Sequence, residues 1–312
     1  MLTSDTGMKR FIIRLLVFLS LMFILDRGFG VAMKYLQDHA KGGYVGHHNY
    51  ILNQSNEDIL IFGSSRAIHH YNPQIIEDSL GMSCYNCGQD GNGIVLFYGW
   101  WQLMKERHMP KVIIYDVNPS FDLLVGENNS KYLGWLRSEY DNDDVKQIFE
   151  DIDPTEKYKM QSMMYRYNSK FLQNMIDYIH PIFQISPNGY LPLKGEMDRM
   201  KVKRGSDEKK EYIYDSLKLS YLESFIKDVK KQGICLVMVA SPVWYGKSEK
   251  EFASLAAMCN KYGIPFVNYS NDTLYVRNDE MFKDGNHLNA HGADEFTKDL
   301  IIELLTEKEC QN

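Results

Sequence analysis

Apolar residues fall into two rhythms along this chain. Short runs that are apolar almost throughout, DILIFG at 58–63, KVIIYDVN at 111–118, ICLVMVASP at 234–242 and IPFVNY at 264–269, have the length and branched content of strands buried on both faces. Longer stretches lie between them. Asn72 and Pro73 open a helical segment that Gly81 closes, and residues 94–107, 214–231 and 247–261 continue the helical series. A last helix starts near Asn289 or Ala290 and runs to about Leu305, and residues 84–86 form a short additional strand. This alternation predicts an α/β fold: a three-layer α/β/α arrangement with a mostly parallel central sheet. Residues 119–212 break the rhythm with pieces rich in Met and aromatics and a charged, turn-rich stretch at 194–212. We expect a largely helical insertion there, ending in a solvated loop, within a domain that spans residues 45–312.

The amino terminus carries a separate signal. Residues 11–25 are apolar except for Arg14 and Ser20, Lys9 and Arg10 precede them, and no small-residue cleavage pattern follows. Snorkelling of Arg14 and the moderately apolar residues 28–33 extend the run toward the length of a span. The expectation is a retained signal anchor over residues 11–33, a cytoplasmic tail at 1–10 by the positive-inside rule, and an extracytoplasmic domain.

Composition narrows the function classes. Hydrophobic residues make up 44% and charged residues 24%, which is globular composition, and a net charge of -6 gives no basic surface for nucleic acid. Cys84 and Cys87 form a C-x-x-C, but no second ligand pair accompanies them, so neither a metal nor any cofactor is expected.

In a parallel sheet, reactive groups gather at the carboxyl ends of the strands. Those ends hold Ser64 and Ser65 directly after the first strand, the Gly-rich turn 88–93, residues 116–118 and residues 241–245. A serine on a strand-to-helix turn exposes its hydroxyl and needs a base. His287 lies just before the last helix with Asp284 three residues earlier, a spacing that lets one turn supply both base and orienting carboxylate. These three are the candidate catalytic residues. His291 competes for the base role but falls in the first turn of the last helix. His69 and His70 follow the nucleophile turn and read as solvated loop residues, with substrate contact as the alternative; Arg66 reads as an anion-binding group or surface ion pair, and Trp244 as a wall of the cleft.

GSSR at 63–66 resembles block I of the SGNH (GDSL) hydrolases, and Asp284-Gly285-Asn286-His287 resembles their D-x-x-H block near the carboxyl terminus. NCGQDG at 86–91 is similar to the second block and DVN at 116–118 stands in place of the third. The resemblance covers roughly residues 55–125 and 215–305. It implies an oxyanion hole from Ser65, Gly88 and Asn118, with Gly88 favoured over Gly91 because it follows the strand most directly; Gly91 is then a substrate contact. It departs from the family at Ser64, where block I has aspartate, and at Asp116, where block III has glycine. An anchored layout with Gly-Ser-Ser is closer to the DltD-like and alginate-acetylation branch. The implied activity is an O-acyl esterase or acyltransferase on cell-envelope glycans, whose partners would be an acylated glycan or acyl donor and a membrane-bound O-acyltransferase. The alternative is a non-catalytic protein of the same fold that binds a polysaccharide or such a partner.

Overall fold

The computed structural model describes residues 3–126, 128–198 and 211–306. Its elements run α1 (Thr3–Asp38), α2 (Gly43–Asn53), β1 (Ile59–Gly63), α3 (Ser65–His70), α4 (Pro73–Leu80), β2 (Cys84–Asn86), α5 (Ile94–Met104) and β3 (Val112–Asp116). They continue as α6 (Pro119–Asp122), α7 (Asp143–Ile152), α8 (Glu156–Lys159), α9 (Met163–Tyr167), α10 (Phe171–Ile179) and α11 (Ser216–Lys231). The last four are β4 (Cys235–Ala240), α12 (Ala253–Tyr262), β5 (Phe266–Asn268) and α13 (Ala290–Thr306).

All strand pairings are parallel, in the order β2-β1-β3-β4-β5. The expected three-layer architecture is present, and the sheet is wholly rather than mostly parallel. The pleat explains it. Leu60, Phe62, Ile113, Tyr115, Leu236 and Met238 point to one face and pack with α5 and α11, while Ile59, Ile61, Ile114, Val237 and Val239 point to the other and pack beneath α13. Because β1, β3 and β4 are buried on both faces, they read as unbroken apolar runs. Local chemistry sets the helix ends. Asn72 caps α4 through its side chain, and Gly81 ends that helix in the left-handed region.

Residues 119–212 contain α6 to α10 with 3-10 turns between them, and residues 199–210 of the charged stretch lie outside the described residues. The amino-terminal expectation is overturned. No helix among the described residues is long and apolar enough to cross a membrane. The apolar run between Arg14 and Asp26, residues 15–25, makes about 16 Å of helix against a hydrocarbon core of about 30 Å. Beyond it α1 engages the domain. The Asp26 carboxylate accepts hydrogen bonds from Ser162 Oγ and from the backbone N–H groups of Met163 and Met164, capping the start of α9 at 2.6–2.9 Å. The anchor at 11–33 and the extracytoplasmic placement built on it are therefore withdrawn.

Register aligns the strand ends. Gly63 lies opposite Asp116, and Asp116 opposite Val239, so the residues that follow β1, β3 and β4 emerge together at one edge. Gly63 makes the join possible. Its φ is 141°, and a Cβ there would lie 2.6 Å from the Asp116 carbonyl oxygen. Gly63→Ala combines a backbone region that side chains avoid with a contact against main chain. It is expected to cost roughly 3 kcal/mol, seen as a lower denaturation midpoint at unchanged slope.

Candidate active site

Ser64 ends β1 in extended backbone and Ser65 begins α3, so the chain turns sharply at the sheet edge. Ser65 is half-buried there. As the first helical residue, its backbone N–H has no partner within the helix. Residues 282–288 fold back on themselves: Phe282 and Leu288 form an antiparallel bridge, and Lys283 N–H donates to the His287 carbonyl at 2.8 Å. This narrow hairpin carries Asp284 and His287 toward α3. Trp244 N–H holds its tip through the Gly285 carbonyl at 3.2 Å.

The structure brings the three predicted residues together. His287 Nε2 lies 2.8 Å from Ser65 Oγ, and His287 Nδ1 lies 2.9 Å from Asp284 Oδ2. A carboxylate can only accept, so Nδ1 carries the proton and Nε2 offers its lone pair to the serine hydroxyl. The Asp284 carboxylate also accepts the backbone N–H groups of Asn286 and His287, at 2.8 and 3.0 Å. Partial burial raises its pKa, but the His287 side chain and these N–H donors outweigh burial and hold it below the ordinary carboxylate range. It therefore remains ionised wherever an imidazole needs orienting. His291 lies exposed at the start of α13, as expected for a bystander.

The surrounding residues sort differently from the sequence expectation. Asn118 Nδ2 donates to Ser64 Oγ, 3.3 Å away, which ties the end of β3 to the residue preceding Ser65. Gly88 does not fit the oxyanion role. Its N–H donates to the Asn86 side chain at 2.9 Å, and a Cβ there would lie 2.3 Å from Ile68 N, so Gly88 is a packing glycine wedged under α3. Adjacency to the strand misled because the loop first turns inward to tie β2 to α3. Gly91, in the left-handed region at φ +67 with open space around it, is the remaining candidate of the turn.

Arg66 is not available to substrate. It is 2% exposed, donates to the Val117 carbonyl at 2.5 Å, and faces Asp116 Oδ2 at 3.7 Å. Asp116, wholly buried, accepts from Ser241 N–H at 3.0 Å and from Ser241 Oγ–H at 2.9 Å. The residue that departs from the resemblance thus ties the ends of β3 and β4 to α3. Trp244 sits half-buried at the hairpin, its indole N–H committed to Asp279 at 2.9 Å, with Tyr245 packed edge-on against it at 4.6 Å and 40% exposed.

His69 and His70 are buried rather than solvated. His69 Nδ1 donates to the Leu191 carbonyl at 2.6 Å, its Nε2 faces Asp90 at 3.1 Å, and its ring stands edge-on to that of His287 with centroids 5.6 Å apart. His70 lies under the hairpin, and burial, together with the nearby His287 and Arg66, pushes its pKa well down. Nothing local in the sequence marked these two. The signal was their position on the short helix that begins at Ser65, five residues before His70.

The chain matches no protein-family model and no curated protein sequence. Among solved structures it is similar to the crystal structure of an acetyl xylan esterase, at 10% identity and a TM-score of 0.37, over 79% of this chain and 99% of that one. A likeness that loose carries no argument about activity, which is argued below from the residues themselves.

Proposed function

We propose that this protein is a serine-dependent hydrolase or transferase of O-linked acyl esters, of the SGNH type. The observation that carries the reading is the linear hydrogen-bonded series Ser65 Oγ, His287 Nε2, His287 Nδ1 and Asp284, with separations of 2.8 and 2.9 Å. Ser65 Oγ attacks the ester carbonyl while its proton moves to His287 Nε2, and the carbonyl π electrons pass to oxygen. The resulting oxyanion is met by the Ser65 backbone N–H and the Asn118 amide, with a Gly91 N–H as third donor. Collapse breaks the bond to the alcohol, which takes the proton from His287 and leaves an acyl group on Ser65. A water or sugar hydroxyl then gives its proton to His287 and takes the acyl group, and as the bond to Ser65 breaks His287 returns that proton to Ser65 Oγ. Throughout, the Asp284 carboxylate stabilises the imidazolium without itself taking the proton.

Trp244 and the exposed Tyr245 support a glycan as the alcohol portion, because flat apolar rings stack on the C–H face of a sugar. An acylated glycan or acyl donor is thus the proposed substrate, and an O-acyltransferase the proposed partner if the acyl group is passed on.

Labelling with a fluorophosphonate probe tests the reading. The wild type and Ser64→Ala should be labelled, and Ser65→Ala should not. A folded wild type that stays unlabelled overturns the enzymatic reading in favour of a binding protein.

A further inference from the structure

Two histidines of one short helix meet the same hairpin from below, and one of them has its hydrogen bonds assigned by its neighbours. Leu288 N–H points at His70 Nε2, 3.0 Å away, so that nitrogen must be an acceptor. On the other side of the ring, His70 Nδ1 lies 3.1 Å from Ser241 Oγ. The Ser241 hydroxyl proton is already given to the Asp116 carboxylate at 2.9 Å, which can only accept. Ser241 Oγ therefore accepts, and His70 Nδ1 donates. The series Asp116, Ser241, His70 and Leu288 is satisfied in one direction only. His70 is wholly buried in it, and the Thr297 hydroxyl plays no part in the series: Thr297 Oγ1 lies 3.3 Å from the His70 carbonyl, not against the ring.

The consequence is geometric. Helix α3 spans only six residues and carries Ser65 at its first position and His70 at its last. The hairpin carries His287 and, next to it, Leu288. One rigid piece thus touches the other twice, through Ser65 Oγ to His287 Nε2 and through His70 Nε2 to Leu288 N. The base side chain is partly exposed and its orienting carboxylate is half in solvent, so neither clamps the loop by packing. The second attachment does.

We propose that His70 is a positioning residue: an uncharged buried imidazole whose Nε2 accepts the Leu288 N–H and so sets the height of His287 above Ser65. The inference rests on the reading of Ser65 and His287 as a reacting pair, but its physical content, a hairpin tied to α3 at Leu288 by a buried acceptor, stands independently.

Two variants separate acceptor from bulk. His70→Phe fills the space and offers no acceptor. His70→Gln fills it less well but can present a carbonyl oxygen where Nε2 lies. Two readouts are taken on the full chain: hydrogen exchange of the Leu288 amide by NMR, and kcat and KM with p-nitrophenyl acetate. In His70→Phe the Leu288 amide should exchange about ten- to hundred-fold faster. Its kcat should fall about hundred-fold with KM within about two-fold of wild type, as expected for a misplaced group rather than a lost contact. His70→Gln should recover at least part of both. If His70→Phe instead matches wild type, or exceeds His70→Gln in amide protection and kcat, the ring only fills space and the proposal fails. Should the wild type hydrolyse nothing, the enzymatic reading fails, while the exchange rates alone still decide whether His70 holds the hairpin.

Discussion

His287→Ala is expected to lower kcat on a p-nitrophenyl ester by about 10³- to 10⁶-fold while leaving the unfolding transition nearly where it was. Both halves of that expectation come from the same geometry. Among the described residues the imidazole is the base within hydrogen-bond reach of Ser65 Oγ, at 2.8 Å. An alcohol without such a base is a poor nucleophile near neutral pH. Yet the side chain is 23% exposed and sits on the arm of a hairpin held by main-chain bonds, so little packing is lost with it. Adding Ser65→Ala to His287→Ala should cost almost nothing more, because the two act as a unit. A His287→Ala enzyme within about ten-fold of wild type would show that another base serves Ser65, and the mechanism would have to be redrawn.

The second large effect is on stability. Asp116→Ala should destabilise the fold by about 3–5 kcal/mol, measured by urea or guanidinium unfolding. The carboxylate is fully buried, and its removal leaves the Ser241 N–H and hydroxyl without their acceptor and the Arg66 guanidinium without a counter-charge. Arg66 keeps its bond to the Val117 carbonyl, so it stays buried as an unpaired cation rather than escaping to solvent. Replacing the pair together, Arg66→Met with Asp116→Leu, should recover a substantial part of the loss, since a buried ion pair is weaker in sum than either uncompensated member is harmful. A single-variant cost under about 1 kcal/mol, the value of a surface pair, would mean that water reaches the site and that the strand ends are held by something else.

Much of the architecture was legible because burial on two faces leaves a local signature. Residues 111–118 and 234–242 could hardly be anything but inner strands, and Val112–Asp116 and Cys235–Ala240 are what formed. The helix bounded by Asn72, Pro73 and Gly81 was equally local, since caps act within one turn. Ser65, Asp284 and His287 were legible for a related reason. Two lie within one tight turn, and the third follows a strand end, where the parallel sheet places chemistry. Gly88 and Arg66 went wrong because their roles depend on which way a loop turns and on what lies behind a residue. Neither is written in the residues beside them. The amino-terminal helix failed on length, as Arg14 and Asp26 bracket too few apolar residues.

The chain alone determined what each segment could become: which runs must be buried as strands, where helices start and stop, and which residue types could pass a proton. It did so through short-range sterics and hydrophobic patterning, which act over a few residues. Only folding decided that Ser65 and His287, separated by 222 positions, would stand in hydrogen-bond reach, that Arg66 would turn inward onto Asp116, and that His70 would take the Leu288 N–H. Those outcomes depend on the register and twist of the assembled sheet, which pools the ends of β1, β3 and β4 at one edge, and no local stretch encodes them.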